Sequence, residues 1–482
     1  MPGGEAVTSS ARLPRRTFLK SGAAAGLATG LAGCTLGRGD TSDGTVVQLA
    51  ADSAANEAVD DINDALHDAG MPGDITVDVL PVSSDTAQQQ YSQWLTAGLE
   101  RPSLLRMDCG WTIPFILREQ VANLDEELPD LASSVKENYF EASVSTATGP
   151  GGALHGVPLF SDFGLTLYRK DLVEDAGFDP SGWATGPRSW ERFAEVVQEA
   201  QSGADTEYGY TFQAAVYEGL SCCTFNEWMA SWGGSYFGAR ENLLRNVGER
   251  PVTVDAEPTV RAARMARSFL EGPDGESALD SIAGPLSPRA VLQWEEDSSL
   301  AAFTNGDAVA HRNWPYSVLE AGAEEAFGED LGVMPMPFGV QPGEAEFDGM
   351  GGSVSALGGW HVTLNPNARH PEAAKEVLRA MSSDSFYLTL MELIGYVPPK
   401  PDLLDSREAR DVDVVGRYVD TLKFAGEHAL PRPSTVVWPI QSPRISQQVS
   451  STLSGDRTPA AAMSELNGLL ERIENNAVQE GS

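Results

Sequence analysis

Six short segments of this sequence place aromatic residues beside carboxylates, arginines or glycines, and each could contact a small polar ligand. A carboxylate accepts hydrogen bonds from two hydroxyls, arginine donates in a fixed fork, and glycine allows close approach to the backbone. An aromatic ring packs against a face of C–H groups. This combination is typical of a site for a sugar. The segments are MDCGW (107–111), PLFSDFGLTLYRKDL (158–172), EWMASWGGSYF (227–237), RNWPYS (312–317), LGGWHV (357–362) and RPSTVVW (432–438).

Each segment also has a plainer interpretation. A tryptophan beside glycine packs in a core more often than it contacts a ligand, and EWMASWGG alone reads as a helix that ends at glycine. Six such segments in one chain favour the binding interpretation over six unrelated core contacts.

The elements that would position these residues begin as an alternation of strands and helices. The segment TVVQLA (45–50), the alternating run ITVDVL (75–80) and the short apolar run SLLRM (103–107) predict strands, and helical spacing predicts helices over 56–70 and 85–99. This order is typical of parallel βαβ units. Ligands of open α/β sheets lie beyond the carboxyl ends of the strands, and strand 103–107 runs directly into Asp108 and Trp111.

Two later helices have clear start signals. Ser189 caps a predicted helix over 189–201, and Pro371 occupies the first turn of a predicted helix over 370–383. Without its first segments the chain retains roughly 435 residues, too many for a single core. We therefore expect an α/β fold with two lobes.

The charge of the chain is strongly acidic. It has 69 acidic and 33 basic residues, a formal net charge of −36, and the acids are dispersed along the sequence. The negative charges repel one another and destabilise a compact chain at low ionic strength. In molar salt the Debye length is about 3 Å, and this repulsion is screened. This composition favours a halophilic origin over a merely acidic surface, and it argues against nucleic-acid binding, which needs a basic face.

The first residues resemble an export signal. Arg15 and Arg16 precede a weakly apolar run that is too short to span a bilayer. The RRTFLK sequence resembles a twin-arginine signal, and LAGC resembles a lipoprotein cleavage site with lipid on Cys34. We therefore predict a signal over 1–33, a polar tether over 34–44, and an exported protein anchored to the outer face of the cell membrane.

The remaining cysteines and the histidines lack metal-binding spacings. Cys222 and Cys223 are adjacent, and either could pair with Cys109, or all three could be free. No CxxC or HExxH pattern occurs in the sequence, so we expect neither a metal site nor a cofactor.

Several segments together resemble the extracellular solute-binding proteins of sugar ABC transporters, in particular the trehalose/maltose-binding branch. The segment VPLFSDFGLTLYRKDLVEDAGFDP followed by SWERFAE, the segment FTNGDAVAHRNWPYS, and the segment GGWHVTLNPNARHPEAAKEVLRAM are similar to family stretches in the same order. RMDCGW and PRPSTVVW are similar to stretches of the branch. The similarity runs from about residue 45 to 470.

The resemblance implies particular ligand contacts. Asp108 and Asp162 match sugar-binding carboxylates, and Arg432 matches an arginine that reaches sugar hydroxyls. Further positions are two matched stacking tryptophans, a glycine that offers its backbone, a carboxylate after the first strand and two additional wall candidates: Trp314, Trp360, Gly359, Glu57, Trp111 and Trp232. Phe160 and Trp438 stand where the branch usually has tyrosine, and the Cys222–Cys223 segment has no counterpart.

The resemblance also implies the architecture and the partners. The fold would be a type II periplasmic-binding-protein-like α/β fold with several hinge crossings. Lobe 1 would comprise 45–160 and 338–385, and lobe 2 would comprise 161–337 and 386–482. A monomeric protein would capture a di- or oligosaccharide such as trehalose or maltose, without catalysis, and deliver it to a membrane permease with its ATPase.

Two other functions are weighed against this one. A secreted glycosidase would use a pair of carboxylates about 5 to 10 Å apart, but the chain lacks a barrel-like βα repeat. The same fold could instead bind a non-sugar solute such as glycerol phosphate or a polyamine. A phosphate site would need basic residues and helix N-termini, whereas tryptophans beside glycines favour a neutral sugar.

Overall fold

The computed structural model of the protein describes residues 44–204 and 206–481. The predicted signal over 1–33, the predicted lipid-attachment residue Cys34 and the tether up to residue 43 lie outside the described residues.

The first sheet begins with three parallel strands, as the sequence predicts. They are β1 (Thr45–Ala51), β2 (Ile75–Pro81) and β3 (Leu104–Asp108), and β1 lies between the other two. Alternate side chains of β2 are buried, because one face of the sheet packs on helices. The alternation of strand and helix in this part of the chain is thus confirmed.

Strands from later in the chain complete this sheet. β9 (Ser355–Leu364) runs antiparallel between β3 and β4 (Gly156–Phe163). The short strand β10 (Ala429–Leu430) pairs with the beginning of β9 in parallel. The first sheet is therefore mixed, and its central antiparallel strand lies far from β3 in sequence.

A second, four-stranded sheet is built from the middle of the chain. Its strands are β5 (Leu165–Arg169), β6 (Tyr208–Thr211), β7 (Ala308–Asn313) and β8 (Leu331–Met334). They lie in the order β6-β7-β5-β8 and pack beside an aromatic core that includes Trp190, Tyr210 and Trp228.

The chain passes between the two sheets at Gly164, because β4 ends at Phe163 and β5 begins at Leu165. It returns to the first sheet between β8 and β9. Two sheets, each with its own hydrophobic cluster, agree with the predicted α/β architecture. The residue bounds predicted for the lobes stay predictions.

Helices cover both sheets and make up much of the rest of the chain. None of the helices in the described ranges is long and apolar enough to cross a membrane. They are α1 (Ser53–Glu57), α2 (Val59–Asp68), α3 (Ser84–Thr96), α4 (Thr112–Leu117), α5 (Leu124–Glu127), α6 (Pro129–Asn138), α7 (Glu141–Thr146), α8 (Lys170–Asp175), α9 (Trp190–Gly203), α10 (Phe225–Ser231), α11 (Glu257–Glu271), α12 (Glu296–Thr304), α13 (Tyr316–Ala321), α14 (Pro371–Met381), α15 (Asp384–Ile394), α16 (Pro401–Leu404), α17 (Arg407–Arg410), α18 (Val419–Glu427), α19 (Trp438–Ser454) and α20 (Pro459–Gly481).

The predicted helix starts are confirmed. The Ser189 hydroxyl accepts a hydrogen bond from the Arg192 backbone N–H at 3.2 Å and caps α9. Pro371 opens α14. The single helix predicted over 56–70 is divided into α1 and α2, because Ala58 has non-helical dihedral angles, φ −96° and ψ 15°.

Candidate ligand-binding site

The pairing of β3 with β9 brings four of the predicted residues together. Asp108 lies opposite Trp360, and the Cys109 N–H donates to the Gly359 carbonyl at 3.1 Å. On the other side of β9, Asp162 of β4 lies opposite Gly358. Both carboxylates therefore flank the same stretch of β9.

Gly359 is required at its position by its backbone. It has φ 102°, a left-handed value that side chains disfavour, and an added Cβ would lie 2.6 Å from the Phe160 carbonyl oxygen. The predicted role of Gly359 in offering its backbone to a ligand is not tested by this geometry.

Asp108 and Arg432 form part of a three-membered ion cluster. Arg432 Nη1 lies 3.4 Å from Asp108 Oδ1 and 3.0 Å from Glu218 Oε1. The Gly110 N–H donates to Asp108 Oδ1 at 2.6 Å, and a Cβ on Gly110 would lie 2.7 Å from Arg432 Nη1. Glycine at this turn thus allows the guanidinium to reach the carboxylate.

The ionisation of Asp108 is held between opposing effects. Burial raises the pKa of its carboxyl above 3.8, because desolvation disfavours the charged form, and the positive charge of Arg432 lowers it. Glu218 adds a like charge that raises the pKa further. Two carboxylates share one guanidinium, so the cluster carries excess negative charge.

A cavity of about 340 Å³ opens beside this cluster. Glu218 accepts a hydrogen bond from Trp438 Nε1 at 3.1 Å, and this contact forms part of the cavity wall. Both halves of the chain contribute to the lining, which includes Gln88, Trp111, Pro114, Tyr217, Glu218 and Trp438. The cavity is large enough to admit a small polar molecule.

The rings of Trp111 and Trp360 contact each other at right angles on the part of the site formed by the first sheet. Their ring centroids are 6.2 Å apart with an interplanar angle of 89°. The guanidinium carbon of Arg106 lies 3.9 Å from the Trp360 ring centroid, and Arg106 is paired with Asp52 at 2.6 Å.

Trp314 approaches the same stretch of β9 from the end of β7. A Cβ added to Gly358 would lie 3.2 Å from both Asp162 Cβ and Trp314 Cζ3. Trp314 Nε1 donates to Glu296 Oε1 at 3.4 Å, and the Tyr217 hydroxyl donates to the same oxygen at 2.8 Å. The two predicted stacking tryptophans thus reach the site from different sheets.

A buried ion pair lies beneath this part of the site. Arg312 donates to the two carboxylate oxygens of Glu227 at 2.9 and 2.7 Å, and both side chains are almost completely buried. Glu227 Oε1 also accepts from the Ala356 N–H of β9 at 2.9 Å. The pair therefore connects α10 and both sheets.

Asp162 has a strongly shifted pKa. Burial raises the pKa of its carboxyl to about 7, while Arg312 lowers it and the charges of Glu296 and Asp108 raise it. Beside it, Phe160 stacks on Tyr396 with ring centroids 3.8 Å apart. Tyr396 supplies in this region a phenol hydroxyl that Phe160 lacks, and it accepts a hydrogen bond from Arg106.

Trp232 and Glu57 are not among the contacts described so far. Trp232, expected as a wall residue, is instead 3% exposed in the hydrophobic core, where its ring packs on Gly339 and its Nε1 contacts Met265 sulfur at 3.1 Å. The helical interpretation of EWMASWGG describes this segment, because α10 ends just before Trp232. Glu57 is exposed at the end of α1.

Asp52, Arg106 and Glu218 contribute contacts at the site that were not predicted from the sequence. Asp52 directly follows β1, so the rule that selected Asp108 at the carboxyl end of β3 also selects Asp52 rather than Glu57. Glu218 lies in the helical turn just before Leu220–Thr224, in a segment without apolar periodicity, and reaches Arg432 from 214 positions away. No local signal identifies such a contact.

The cysteine pairing differs from each alternative expected from the sequence, because Cys109 pairs with neither neighbour and the three thiols are not all free. Cys222 and Cys223 form a disulfide with each other within a π-helical turn, Leu220–Thr224, which also contacts β9. Cys109 is a free, buried thiol, and burial raises its pKa. Across residues 44–204 and 206–481 no group of three or more potential ligands could hold a metal ion.

Comparison with known proteins identifies related chains over most of the sequence. A family model for the bacterial extracellular solute-binding protein matches residues 57–413. A probable ABC transporter-binding protein of Deinococcus radiodurans is 27% identical over 404 residues, which cover 82% of this chain and 85% of that protein. A probable amino-acid ABC transporter periplasmic-binding protein of Sinorhizobium fredii is 22% identical over 438 residues, 88% of each chain.

The fold also matches a solved structure, that of maltose-bound T. maritima MalE3. The TM-score is 0.71 at 24% identity, and the match covers 89% of this chain and 99% of that one. At this identity the likeness concerns the fold, and it confirms the predicted two-lobed α/β architecture.

Proposed function

The chain belongs to the bacterial extracellular solute-binding proteins, and we propose that within this family it binds a sugar for import. It is a binding protein and not an enzyme, since the family consists of solute-binding proteins. It serves as the solute-binding component of an ABC transporter. The partners are then a membrane permease and its ATPase.

One observation supports the sugar proposal above all: two carboxylates, a guanidinium and three tryptophan rings lie around one stretch of β9. These groups belong to Asp108, Asp162, Arg432, Trp111, Trp314 and Trp360. Carboxylates and a guanidinium match the hydroxyls of a sugar, and the rings match its C–H faces. A di- or oligosaccharide such as maltose or trehalose has both kinds of surface. The maltose bound by MalE3 supports the same class of ligand.

Binding would act through closure of the two lobes. The lobes, proposed as 45–160 with 338–385 and 161–337 with 386–482, sample open and closed forms. A ligand that contacts both lobes stabilises the closed form. Asp108 and Trp360 would contribute from the first sheet, and Trp314 from the second. The closed shape is what the permease would recognise.

A cationic solute is the second candidate. Four carboxylates outnumber the three nearby arginines, and two of these arginines, Arg312 and Arg106, are already paired with Glu227 and Asp52. The four carboxylates are those of Asp108, Asp162, Glu218 and Glu296. One relative is named for amino-acid transport. A phosphate ester fits less well, since Arg432 is already shared by two carboxylates.

The experiment is a thermal-shift screen in molar salt followed by calorimetry. It uses mono-, di- and oligosaccharides, amino acids, a polyamine and glycerol phosphate. Ligand that binds the folded state alone raises the melting temperature. We expect a shift with a sugar that disappears in Asp162→Ala and becomes smaller, but measurable, in Trp360→Ala, while it persists in the exposed control Asp130→Asn. A shift only with amino acids or polyamines would replace the sugar proposal.

The anchoring of the protein is part of the proposal. Export by the twin-arginine leader, lipid on Cys34 and a monomeric state are each inferred from the sequence. Cells that incorporate a labelled fatty acid into the protein, and lose the label in Cys34→Ser, would support the anchor. Light scattering of the purified chain measures its oligomeric state.

The predicted ligand contact of Glu57 needs its own test. Affinity measured with Glu57→Gln shows whether this exposed carboxylate contacts ligand.

A further inference from the structure

Each of the two predicted stacking tryptophans has an arginine over its ring. The Arg106 guanidinium carbon lies 3.9 Å from the Trp360 centroid, and that of Arg312 lies 4.3 Å from the Trp314 centroid. Both distances are within the range of a cation–π contact. The arrangement occurs on both sheets, because Arg106 lies on β3 and Arg312 on β7.

Each arginine is in turn fixed by a carboxylate. Arg106 pairs with Asp52 at 2.6 Å, and Arg312 donates two hydrogen bonds to Glu227 and a third, at 3.1 Å, to Gln213 Oε1. The exposed fractions of the two arginine side chains are 6% and 1%. Arg106 Nη1 and three nitrogens of Arg312 are therefore directed at protein acceptors.

A planar guanidinium restricts a tryptophan in a way that an aliphatic side chain does not. It covers one face of the indole and holds the plane of the ring, while charge and quadrupole attract. A ligand that stacks on the accessible part of the ring then does not have to order it. That part is larger for Trp360, which is half-buried, than for Trp314, which is 9% exposed. Part of the entropy cost of binding is thereby removed before the ligand arrives.

We propose that Arg106 and Arg312 are positioning residues that fix the ring planes of Trp360 and Trp314 for a stacked ligand, without contacting the ligand themselves. This inference rests on the proposed function, since it needs a ligand that packs on both rings. It adds the pairs Asp52–Arg106 and Glu227–Arg312 to the determinants of affinity.

The test uses Arg106, because its partner Asp52 is partly exposed. Arg312 and its partner Glu227 are both almost completely buried, so a substitution there would disturb the fold more. Lysine keeps the positive charge and the pairing with Asp52 but lacks the planar group. We expect Arg106→Lys to weaken affinity, for the sugar identified in the screen, by about threefold to tenfold. In a Trp360→Ala background the same substitution should have no further effect.

A matched control is Arg192→Lys. Arg192 also lies over an aromatic ring, 4.8 Å from the centroid of Phe178. Its side chain is exposed, and Phe178 is not one of the candidate ligand-binding residues. Its substitution should leave the affinity unchanged. An equal loss for Arg106→Lys in both backgrounds would overturn the proposal, since Arg106 would then act independently of Trp360.

A second measurement does not need a ligand. The protein is labelled with 5-fluorotryptophan, and the Trp360 resonance is assigned by its absence in Trp360→Phe. We expect that resonance to shift and broaden in Arg106→Lys and in Asp52→Asn, but not in Arg192→Lys. An unchanged resonance refutes the positioning role, whereas failure of the wild-type protein to bind any sugar refutes the proposed function alone.

Discussion

Gly164 and Glu227 approach each other so closely that a Cβ atom added to Gly164 would lie 1.8 Å from Glu227 Oε1. The same carboxylate holds Arg312 and the Ala356 N–H. Gly164 is also the residue between β4 and β5. The chain thus crosses from one sheet to the other beside a buried ion pair, and this pair leaves no room for a side chain at position 164.

We expect Gly164→Ala to lower the free energy of unfolding by about 3 kcal/mol, because it displaces one partner of a buried ion pair. Urea unfolding would measure the change. Gly151→Ala is the control, since an added Cβ there meets nothing within 4 Å, and it should change stability by less than about 0.5 kcal/mol. Equal stability of the two variants would show that Glu227 can move without cost.

Ligand affinity should depend on pH through Asp162. Burial raises the pKa of this carboxyl to about 7, and an ionised carboxylate accepts hydrogen bonds from hydroxyls more strongly than a protonated one. Affinity should therefore fall as the pH is lowered through about 7. Calorimetric titrations between pH 8 and 5.5 would measure this, and Asp162→Asn should bind weakly with no such dependence.

The same residue should reduce stability at high pH. Its folded-state pKa of about 7 exceeds the ordinary value of 3.8, so the folded state holds the extra proton between these values and stability declines as the pH rises through them. At pH 8 Asp162→Asn should be more stable than the wild type by on the order of 2 kcal/mol, discounted from the full shift for partial exposure. At pH 4 the two proteins should be about equal. Denaturant unfolding at both pH values tests the sign.

Removal of Arg432 should leave two carboxylates facing each other. In Arg432→Met, Asp108 and Glu218 lose their shared cation, so the pKa of Asp108 should rise further. The loss in melting temperature should be larger at pH 8 than at pH 5, where protonation relieves the repulsion. Arg432→Lys keeps the charge and should lose less at pH 8. Identical losses at the two pH values would contradict this assignment.

The stability of the chain should increase with salt. A formal net charge of −36 produces self-repulsion that ions screen, so the melting temperature should rise between about 0.1 M and about 2 M potassium chloride. A neutral osmolyte at matched osmolality is the control, because it does not screen charge. A response equal to that of the osmolyte would remove the case for a halophilic protein.

The sequence predicted the local structure better than the long-range contacts. The strands and helices from residue 45 to 108 follow from apolar periodicity, and Ser189 and Pro371 are side-chain signals that act within one helical turn. Asp108 was found because a strand ends there. None of these signals encodes the pairing of β3 with β9, on which the position of Trp360 opposite Asp108 depends.

The site residues that were missed, or placed differently, have the same physical explanation. Glu218 pairs with Arg432, which is distant in sequence, and the Arg106 guanidinium lies over the Trp360 ring. Neither contact produces a periodic pattern in the sequence. Trp232 resembled a wall residue because it lies next to glycines. Its burial is set by packing on Gly339 and Met265, which the local sequence does not reveal.

The position of β9 has a consequence for the synthesis of the protein. Cys109 and Leu357 are in contact but 248 positions apart, so β3 emerges from the ribosome long before the strand that covers its edge. Until then the nascent chain carries an unpaired sheet edge, which is prone to aggregation, and distant pairing slows folding. A chain truncated before residue 355 would keep that edge permanently. The export route that we propose from Arg15 and Arg16 accepts folded cargo, so chaperones inside the cell would have to shield this intermediate before export.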